Sequence, residues 1–372
     1  MAIYRIFPEK DTFLHTEAVT GNAGLDEILE LGGYPVSDIG QTSRILIQFD
    51  STEINNVVTN VIGSNSYSAS IHLSLASAYE LPYGYTINAY PVYDSWVGGV
   101  GKFADSPVDK SGASWVYRDA SQVNRWTLAA NTNSLPANVT GSYNSRYSGG
   151  GGSWYTGSAG INLESTQSHN LKSNHDVDID VTRAAKLHKA NTIVNNGFLL
   201  KLSDDLEFNT TSSIRLKYFS SNTNTIYPPY LEYKWDDSSY SSTLTTLSTS
   251  NATIKIKNNK GLYVDEGKQR LRIHARPKYP TRTFTTSSVY LTNYKLPATS
   301  YWGLRDEYTE EMVVDFDTKF TKISADNNGS YFDIHMDGLQ PERYYRILVK
   351  SVLDGSTTVI DDNNTFKVVR NG

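Results

Sequence analysis

The feature that most constrains the fold is a series of short segments in which apolar and polar residues alternate. In residues 69–76, Ile71, Leu73 and Leu75 fall on one face of a strand, and the polar residues between them fall on the other. Similar patterns, separated by Gly, Pro, Asn, Asp and Ser, occur at residues 43–50, 85–93, 176–182, 197–202, 213–219 and 229–235. The sequence therefore predicts many short β-strands.

Helical patterns are scarce. The best one covers residues 182–189, where Asp180 or Thr182 can cap the first turn. Many short strands, frequent turn residues and little helix are typical of β-sandwiches and jelly rolls. We therefore predict an all-β fold in which an N-terminal jelly-roll β-sandwich is followed by a smaller immunoglobulin-like β-sandwich.

A change in composition divides the chain after residue 236. Residues 1–236 carry the strand series of the predicted jelly roll. Residues 237–250 are polar and low in complexity, which predicts a linker, with an edge strand as the alternative. Strand patterns resume within residues 251–372, a length that suits an immunoglobulin- or fibronectin-like sandwich.

Residues 120–170 depart from the strand pattern and are rich in Asn, Ser, Gly and Tyr. Such an excursion either serves function and interfaces or is a surface loop, and both interpretations stay open. Its aromatic side chains can bind sugars or anchor protein interfaces. The candidates for such a site are Trp126, Trp154, Tyr143, Tyr147 and Tyr155, whereas Trp96, Trp115 and Trp235 are assigned to the core.

Three closely spaced aspartates form the most distinctive group of polar residues in the sequence. Asp176, Asp178 and Asp180 alternate with apolar residues, so a strand would place all three on one face. Carboxylate oxygens are ligands that Ca²⁺ prefers, which makes the three Ca²⁺ candidates. The alternative, which we favour, is a solvated acidic face that protects a strand edge and holds no metal or other cofactor.

Charge and motifs exclude several function classes. The chain has 34 Lys and Arg against 39 Asp and Glu, a net charge of −5. It therefore lacks the excess of positive charge that binding to nucleic acid or to an anionic membrane requires. The absence of Cys excludes disulfides and a thiol nucleophile. The sequence contains no nucleophile elbow, phosphate loop or zinc-protease motif, and it nominates no catalytic carboxylate pair. We therefore expect a protein that is not an enzyme.

The first eight residues have the pattern of a β-strand. The N-terminus has no cationic start, no long apolar run and no small-residue cleavage site, so we predict no signal peptide. No segment approaches the about 18 apolar residues of a membrane helix, so we predict no membrane insertion. We therefore expect the chain to be made in the cytosol and to stay there.

Several short blocks, taken in order, resemble a jelly-roll family known by its DNRLRE label and related to carbohydrate-binding modules, although that literal motif is absent. The blocks are Asp11-Thr12-Phe13, residues 43–50, residues 87–96 followed by Trp115, Asp180-Val-Thr182, residues 196–201 and residues 219–232. Residues 338–345 resemble the Leu-x-Pro…Tyr turn of fibronectin type III modules, in which the Tyr anchors a corner of the sandwich.

The jelly roll, the Tyr-rich second β domain and the missing leader together resemble structural proteins of tailed-phage virions. The resemblance implies a non-catalytic virion component of a tail, baseplate, collar or fibre that contacts other virion proteins and copies of itself. The alternative is a carbohydrate-binding or adhesion module that recognises host-surface glycans, and the two are compatible in an adhesin. A glycan-degrading enzyme is the third and least favoured hypothesis.

Overall fold

The computed structural model describes residues 2–37, 39–127, 139–140, 150–158, 161–282, 288–318 and 320–370. The fold is all-β, with several sheets as in the β-sandwich class, as the alternating patterns predict. Contacts divide the chain between Lys234 and Trp235 into an N-terminal unit, Ile3–Lys234, and a C-terminal unit, Trp235–Gly372, with which Met1–Ala2 is grouped. No helix in the described ranges is long and apolar enough to span a membrane.

The described residues of the first part of the chain form sixteen strands and two helices. The strands are β1 (Ala2–Ile6), β2 (Pro8–His15), β3 (Ile28–Val36), β4 (Ile39–Phe49), β5 (Tyr67–Leu73), β6 (Leu75–Tyr79), β7 (Gly84–Pro91), β8 (Val139–Thr140), β9 (Trp154–Tyr155), β10 (Gly157–Ser158), β11 (Ile161–Asn162), β12 (Ser165–Asn170), β13 (Val177–Asp180), β14 (Phe198–Leu202), β15 (Ile214–Phe219) and β16 (Tyr230–Trp235). The helices are α1 (Ser51–Asn56), which continues as a π-helical segment (Val57–Ile62), and α2 (Thr182–Lys189).

Two larger sheets organise these strands. One has the order β1-β16-β5-β13, and the other has the order β12-β7-β14-β4-β3-β15-β6, with β2 paired to β4. Strand β5 alternates buried and half-exposed residues, as a strand with one covered face does. Every residue of β14 is buried, because this strand lies between β7 and β4 and is covered on both faces.

The other nine strands found in the described ranges belong to the C-terminal unit. They are β17 (Ala252–Ile256), β18 (Leu262–Val264), β19 (Lys268–Pro277), β20 (Ser300–Asp306), β21 (Met312–Val314), β22 (Ser324–Asp326), β23 (Gly329–His335), β24 (Tyr344–Leu353) and β25 (Ser356–Val369), with a 3₁₀ turn at Met336–Gly338. They form sheets of order β17-β19-β23-β22 and β18-β25-β24-β20-β21, in which only the β18–β25 pair is parallel among the described strands.

One hydrophobic core joins the two C-terminal sheets. Leu271 and Phe332 come from the first sheet, whereas Trp302, Tyr345 and Phe366 come from the second. The Trp302 and Phe332 rings stack with centroids 5.2 Å apart. The buried Tyr345 donates its hydroxyl hydrogen to the carbonyl oxygen of Gln340 at 2.9 Å, the geometry in which a corner tyrosine ties a strand to the preceding turn.

Residues 237–250, for which we predicted a linker, instead pack onto the C-terminal unit. Leu247 is fully buried in its core, and the Leu247 amide donates to the Lys295 carbonyl at 2.8 Å. The Ala325 amide donates to the Ser239 carbonyl at 2.8 Å. The many Ser and Thr residues of this segment predicted a linker. One apolar side chain, Leu247, is nevertheless enough to anchor the segment in the core.

Candidate carbohydrate-binding site

The aromatic residues singled out in the irregular region belong mostly to the interior. Trp126 is 1% exposed, Trp154 is 5% exposed and Tyr155 is 9% exposed, so none of the three presents an open ring face. Trp126 donates its indole N–H to the Ser114 carbonyl at 3.0 Å. The expectation of a glycan platform on Trp126 and Trp154 is thereby corrected. Tyr143 and Tyr147 lie outside the described residues.

A buried arginine packs against two of the covered tryptophan rings, Trp115 and Trp154. Arg44 is fully buried, and its guanidinium carbon lies 5.0 Å from the Trp115 ring centre and 5.2 Å from that of Trp154. The side chain donates to both carboxylate oxygens of Glu207 at 2.7 and 2.8 Å, and to the Gly151 carbonyl at 2.6 Å. Arg44 therefore fixes the segment around Gly151 over the sheet, and the tryptophans complete its enclosure.

The three aspartates have separate partners. The Asp176 carboxylate accepts hydrogen bonds from the Leu75 amide at 2.7 Å and from the Asn174 side chain at 3.0 Å. The Asp180 carboxylate accepts one from the Thr182 amide at 2.8 Å, and Asp178 faces His72. Within the described ranges, no group of three or more His, Asp or Glu side chains is arranged to hold a metal ion.

A cavity of about 490 Å³ opens instead over three neighbouring strands of the larger sheet. Strand β15 lies between β3 and the edge strand β6, and Arg215 is paired directly with Tyr79. On the other side of β15, Lys217 is paired with Glu30 of β3. The residues that line the cavity are Tyr34, Pro35, Tyr79, Glu80, Ser213, Arg215 and Lys217.

Arg215 is held over a fixed aromatic ring. Its guanidinium carbon lies 3.5 Å from the centre of the Tyr34 ring, which is 2% exposed. The Tyr34 hydroxyl oxygen lies 2.7 Å from His15 Nε2 and 3.2 Å from a Glu17 carboxylate oxygen, and these contacts fix the orientation of the ring. Within the part of the chain that the structure describes, the guanidinium N–H groups of Arg215 have no hydrogen-bond acceptor, so they remain available to a ligand.

Charges behind the cavity keep their ordinary states. Burial alone would raise the pKa of Glu30, but His15, Lys217 and Arg215 hold the pKa of that carboxyl below its ordinary value. Burial, with Glu30 and Glu17 nearby, raises the pKa of Tyr34. Glu30 is therefore ionised and Tyr34 protonated at neutral pH, and the arginine and lysine remain the donors that face outwards.

The rim of the cavity adds an exposed aromatic ring, a carboxylate and a hydroxyl group. The Tyr79 ring is 54% exposed on the edge strand, and Lys217 Nζ lies 6.0 Å from its centre. Glu80 follows with a φ of 56°, a left-handed conformation that side chains other than glycine seldom adopt and that is enriched at binding sites. An aromatic face, a guanidinium fork, a carboxylate and the Ser213 hydroxyl together match a polyhydroxylated ring, which stacks on one face and exchanges hydrogen bonds at its edge.

Sequence reasoning missed this site, although part of its signal was present. Residues 213–219 were recognised as a strand, and Arg215 and Lys217 occupy alternate positions on it. That spacing places both cations on one face. The two tyrosines could not be added from the pattern, because Tyr34 and Tyr79 reach the site only through the pairing of β3 and β6 with β15.

Comparison with known proteins adds distant likenesses only. No family model matches the sequence, and no curated protein matches it. Solved structures with some similarity include a DUF4785 family protein from Legionella pneumophila, with a TM-score of 0.20, 8% identity and coverage of 98% of this chain and 65% of that one. Another is the tripod from the baseplate of bacteriophage Tuc2009, with a TM-score of 0.17, 10% identity and coverage of 100% of both chains. The chain thus spans 65% of the length of the Legionella protein, and likenesses at these TM-scores carry no argument.

Proposed function

We propose that this chain is a non-catalytic structural component of a bacteriophage virion, in a tail, baseplate, collar or fibre, and that its N-terminal unit binds a host-surface glycan. The virion assignment is supported by the combination of a jelly-roll-like N-terminal sequence with a Tyr-rich second β domain, which resembles structural proteins of tailed-phage virions. The binding role is supported by the cavity over β3, β15 and β6. In this proposal the protein acts through contacts with neighbouring virion proteins and with sugar, and it requires no cofactor.

The single observation that carries the binding role is the stacking of Arg215 on Tyr34 at 3.5 Å. A guanidinium fixed in this way offers two parallel N–H donors without losing side-chain freedom when a ligand arrives, and such preorganisation favours affinity. The exposed Tyr79 ring beside it supplies apolar contact with the face of a sugar.

The residues of the same cavity favour glycan binding rather than glycan hydrolysis. Glycoside hydrolysis generally needs two carboxyl groups that flank the scissile bond. Of the residues that line the cavity, Glu80 alone carries a carboxyl group, and Glu30 behind it is engaged with His15 and Lys217. A binding module needs no second carboxylate, and the arrangement of one acceptor and two cations suits recognition.

The test is a glycan array probed with the full chain, followed by calorimetric titration with the best glycan. We expect Tyr79→Ala and Arg215→Lys each to weaken binding by about tenfold or more. The first change removes the aromatic ring on which the sugar stacks, and the second removes the two parallel N–H donors of the guanidinium. Tyr308→Ala is the matched control, since Tyr308 is 75% exposed and lies in the C-terminal unit. An array without any bound glycan, or binding that survives both changes, would remove the basis for this function.

A second measurement concerns the virion assignment itself. Purified phage particles, stripped of loosely bound protein by salt and analysed by mass spectrometry, should contain this chain in a fixed ratio to the major capsid protein. Immunogold labelling should then place it at the tail, baseplate, collar or fibres. A chain found only in the unassembled fraction of the lysate would contradict a structural role.

A further inference from the structure

Opposite charges occupy opposite edges of the C-terminal unit. Strand β17 is the free edge of the first sheet, and it carries Lys255 with Lys257 immediately after it. Strand β21 is the free edge of the second sheet, and it is bounded by Glu311 and Asp315. All four side chains are exposed, and none has an ion-pair partner within the part of the chain that the structure describes.

The chain path shows that these edges lie on different sides of the sandwich. The chain crosses between the two sheets from β17 to β18 on one side, where β17 also contacts β25. It crosses back from β21 to β22 on the other side, where Lys322, just before β22, forms a bridge with Tyr301 of β20. We call the first side the basic edge (Lys255, Lys257, Lys260, Leu262 and Val264) and the second the acidic edge (Glu310, Glu311, Val313 and Asp315).

The basic edge differs from the neighbouring cationic face of β19. Arg270 makes a two-point ion pair with Asp333, and Arg272 makes one with Asp326, so those charges are already matched within the unit. The lysines of the basic edge lie on the same side of the sandwich as two exposed aliphatic side chains of β18, Leu262 at 56% and Val264 at 42% exposure. Apolar side chains within a charged rim are the usual composition of a protein interface.

The acidic edge has the matching composition. Glu311, Val313 and Asp315 occupy alternate positions, so a strand places them on one face. Val313 is 46% exposed between the two carboxylates, and Glu310 adds a third exposed acid at the start of the strand. The backbone of β21 is paired on one side only, with β20, so its outer edge is free within the described strands.

The geometry points to a second copy of this chain as the occupant of these edges, with the basic edge of one C-terminal unit against the acidic edge of the next. Free strand edges favour association with other strands, and lysines on an edge prevent two basic edges from pairing. The same charges attract the acidic edge, so attraction and repulsion together select one arrangement. Contact between two different patches is head-to-tail, which builds a ring or a filament rather than a closed two-fold dimer.

This inference concerns the assembly side of the proposed function and uses a different unit from the glycan site, so the two can fail separately. The experiment is light scattering of the full chain after size-exclusion chromatography, over a concentration series at low and high salt. We expect self-association that weakens as salt rises, because exposed charges are screened over about 10 Å at 0.1 M salt. Glycan binding measured on the same preparations shows whether the N-terminal unit is intact.

Charge reversal provides the decisive comparison. Lys255→Glu with Lys257→Glu makes both edges acidic, and Glu311→Lys with Asp315→Lys makes both edges basic, so each variant alone is expected to be a monomer. An equimolar mixture of the two variants is expected to associate again, because each presents the edge that the other lacks. Lys110→Glu with Lys172→Glu is the control, since both lysines are exposed in the N-terminal unit.

Three outcomes would overturn the inference. The first is a wild-type chain that is monomeric at every concentration and salt. The second is wild-type association that both edge variants retain, which would place the contact elsewhere. The third is edge variants that stay monomeric when mixed although both remain folded by circular dichroism, which would show that charge complementarity between the edges does not drive the contact.

Discussion

Arg44 and Glu207 form a two-point ion pair in the interior of the N-terminal unit, with Nε–Oε1 and Nη2–Oε2 distances of 2.7 and 2.8 Å. Lys201 adds a contact to Glu207 at 3.0 Å and a further one to Asp204. The cluster ties β4 and β14 to the segment after Ser203, and through the Gly151 carbonyl it also holds the irregular region. Its integrity therefore decides whether the tryptophans stay covered.

Glu207→Gln should destabilise the N-terminal unit by roughly 3–5 kcal/mol, because Arg44 and Lys201 would remain buried without their shared counter-charge. Urea unfolding followed by tryptophan fluorescence measures the change. Asp326→Asn is the control, since it breaks the half-exposed Arg272 pair and should cost about 1 kcal/mol or less. Equal losses in the two variants would show that the interior pair is not structurally important.

Tyr34→Phe tests whether the ring beneath Arg215 must be fixed by its hydroxyl. The change keeps the stacking surface but removes the contacts with His15 and Glu17, so we expect a loss of about 1 kcal/mol in the free energy of unfolding. Glycan affinity should fall by a smaller factor than in Arg215→Lys. If affinity falls as much as in Tyr79→Ala while stability is unchanged, the hydroxyl contacts the ligand directly.

Local patterns predicted the strands well, because alternation depends only on neighbouring residues. Strand β15 and its two cations are an example: the pattern in 213–219 gives the strand and the shared face. Arg44 is the opposite case, since its partner Glu207 lies 163 positions away and nothing in the strand 43–50 shows that an arginine there is buried. The net charge of −5 likewise averages over the two oppositely charged edges of the C-terminal unit.

His188 should make stability depend on pH. The side chain is 8% exposed and burial lowers the pKa of His188 to about 4, against about 6.5 in the unfolded chain. Between these values the unfolded chain binds more protons, so the contribution is fully present above about pH 6.5 and is lost as the pH falls towards 4. Relative to His188→Gln, the wild type should lose roughly 3 kcal/mol more over that window.

The measurement is urea unfolding of both proteins at pH steps between 7 and 4. The comparison with the variant is essential, because burial raises the pKa of Asp11 to about 6. A raised carboxyl pKa gives the opposite slope, with stability that falls as the pH rises from about 4 to 6, and this slope is common to both proteins. Parallel pH profiles for the two chains would rule out His188 as the titrating group.

Gly151→Ala should be far more damaging than the same change at another glycine with positive φ. Gly151 has a φ of 78°, and an added Cβ would lie 2.7 Å from the Trp115 ring and 2.8 Å from Arg44 Nη1. Gly63, in the same unit, has a φ of 63° with open space around the added atom. We expect Gly63→Ala to cost about 1 kcal/mol from backbone strain alone. Gly151→Ala should cost roughly 2–4 kcal/mol, since overpacking adds to that strain. Thermal unfolding followed by tryptophan fluorescence compares the two variants, and a smaller loss at Gly151 would mean that the segment over Arg44 can move away without unfolding the sheet.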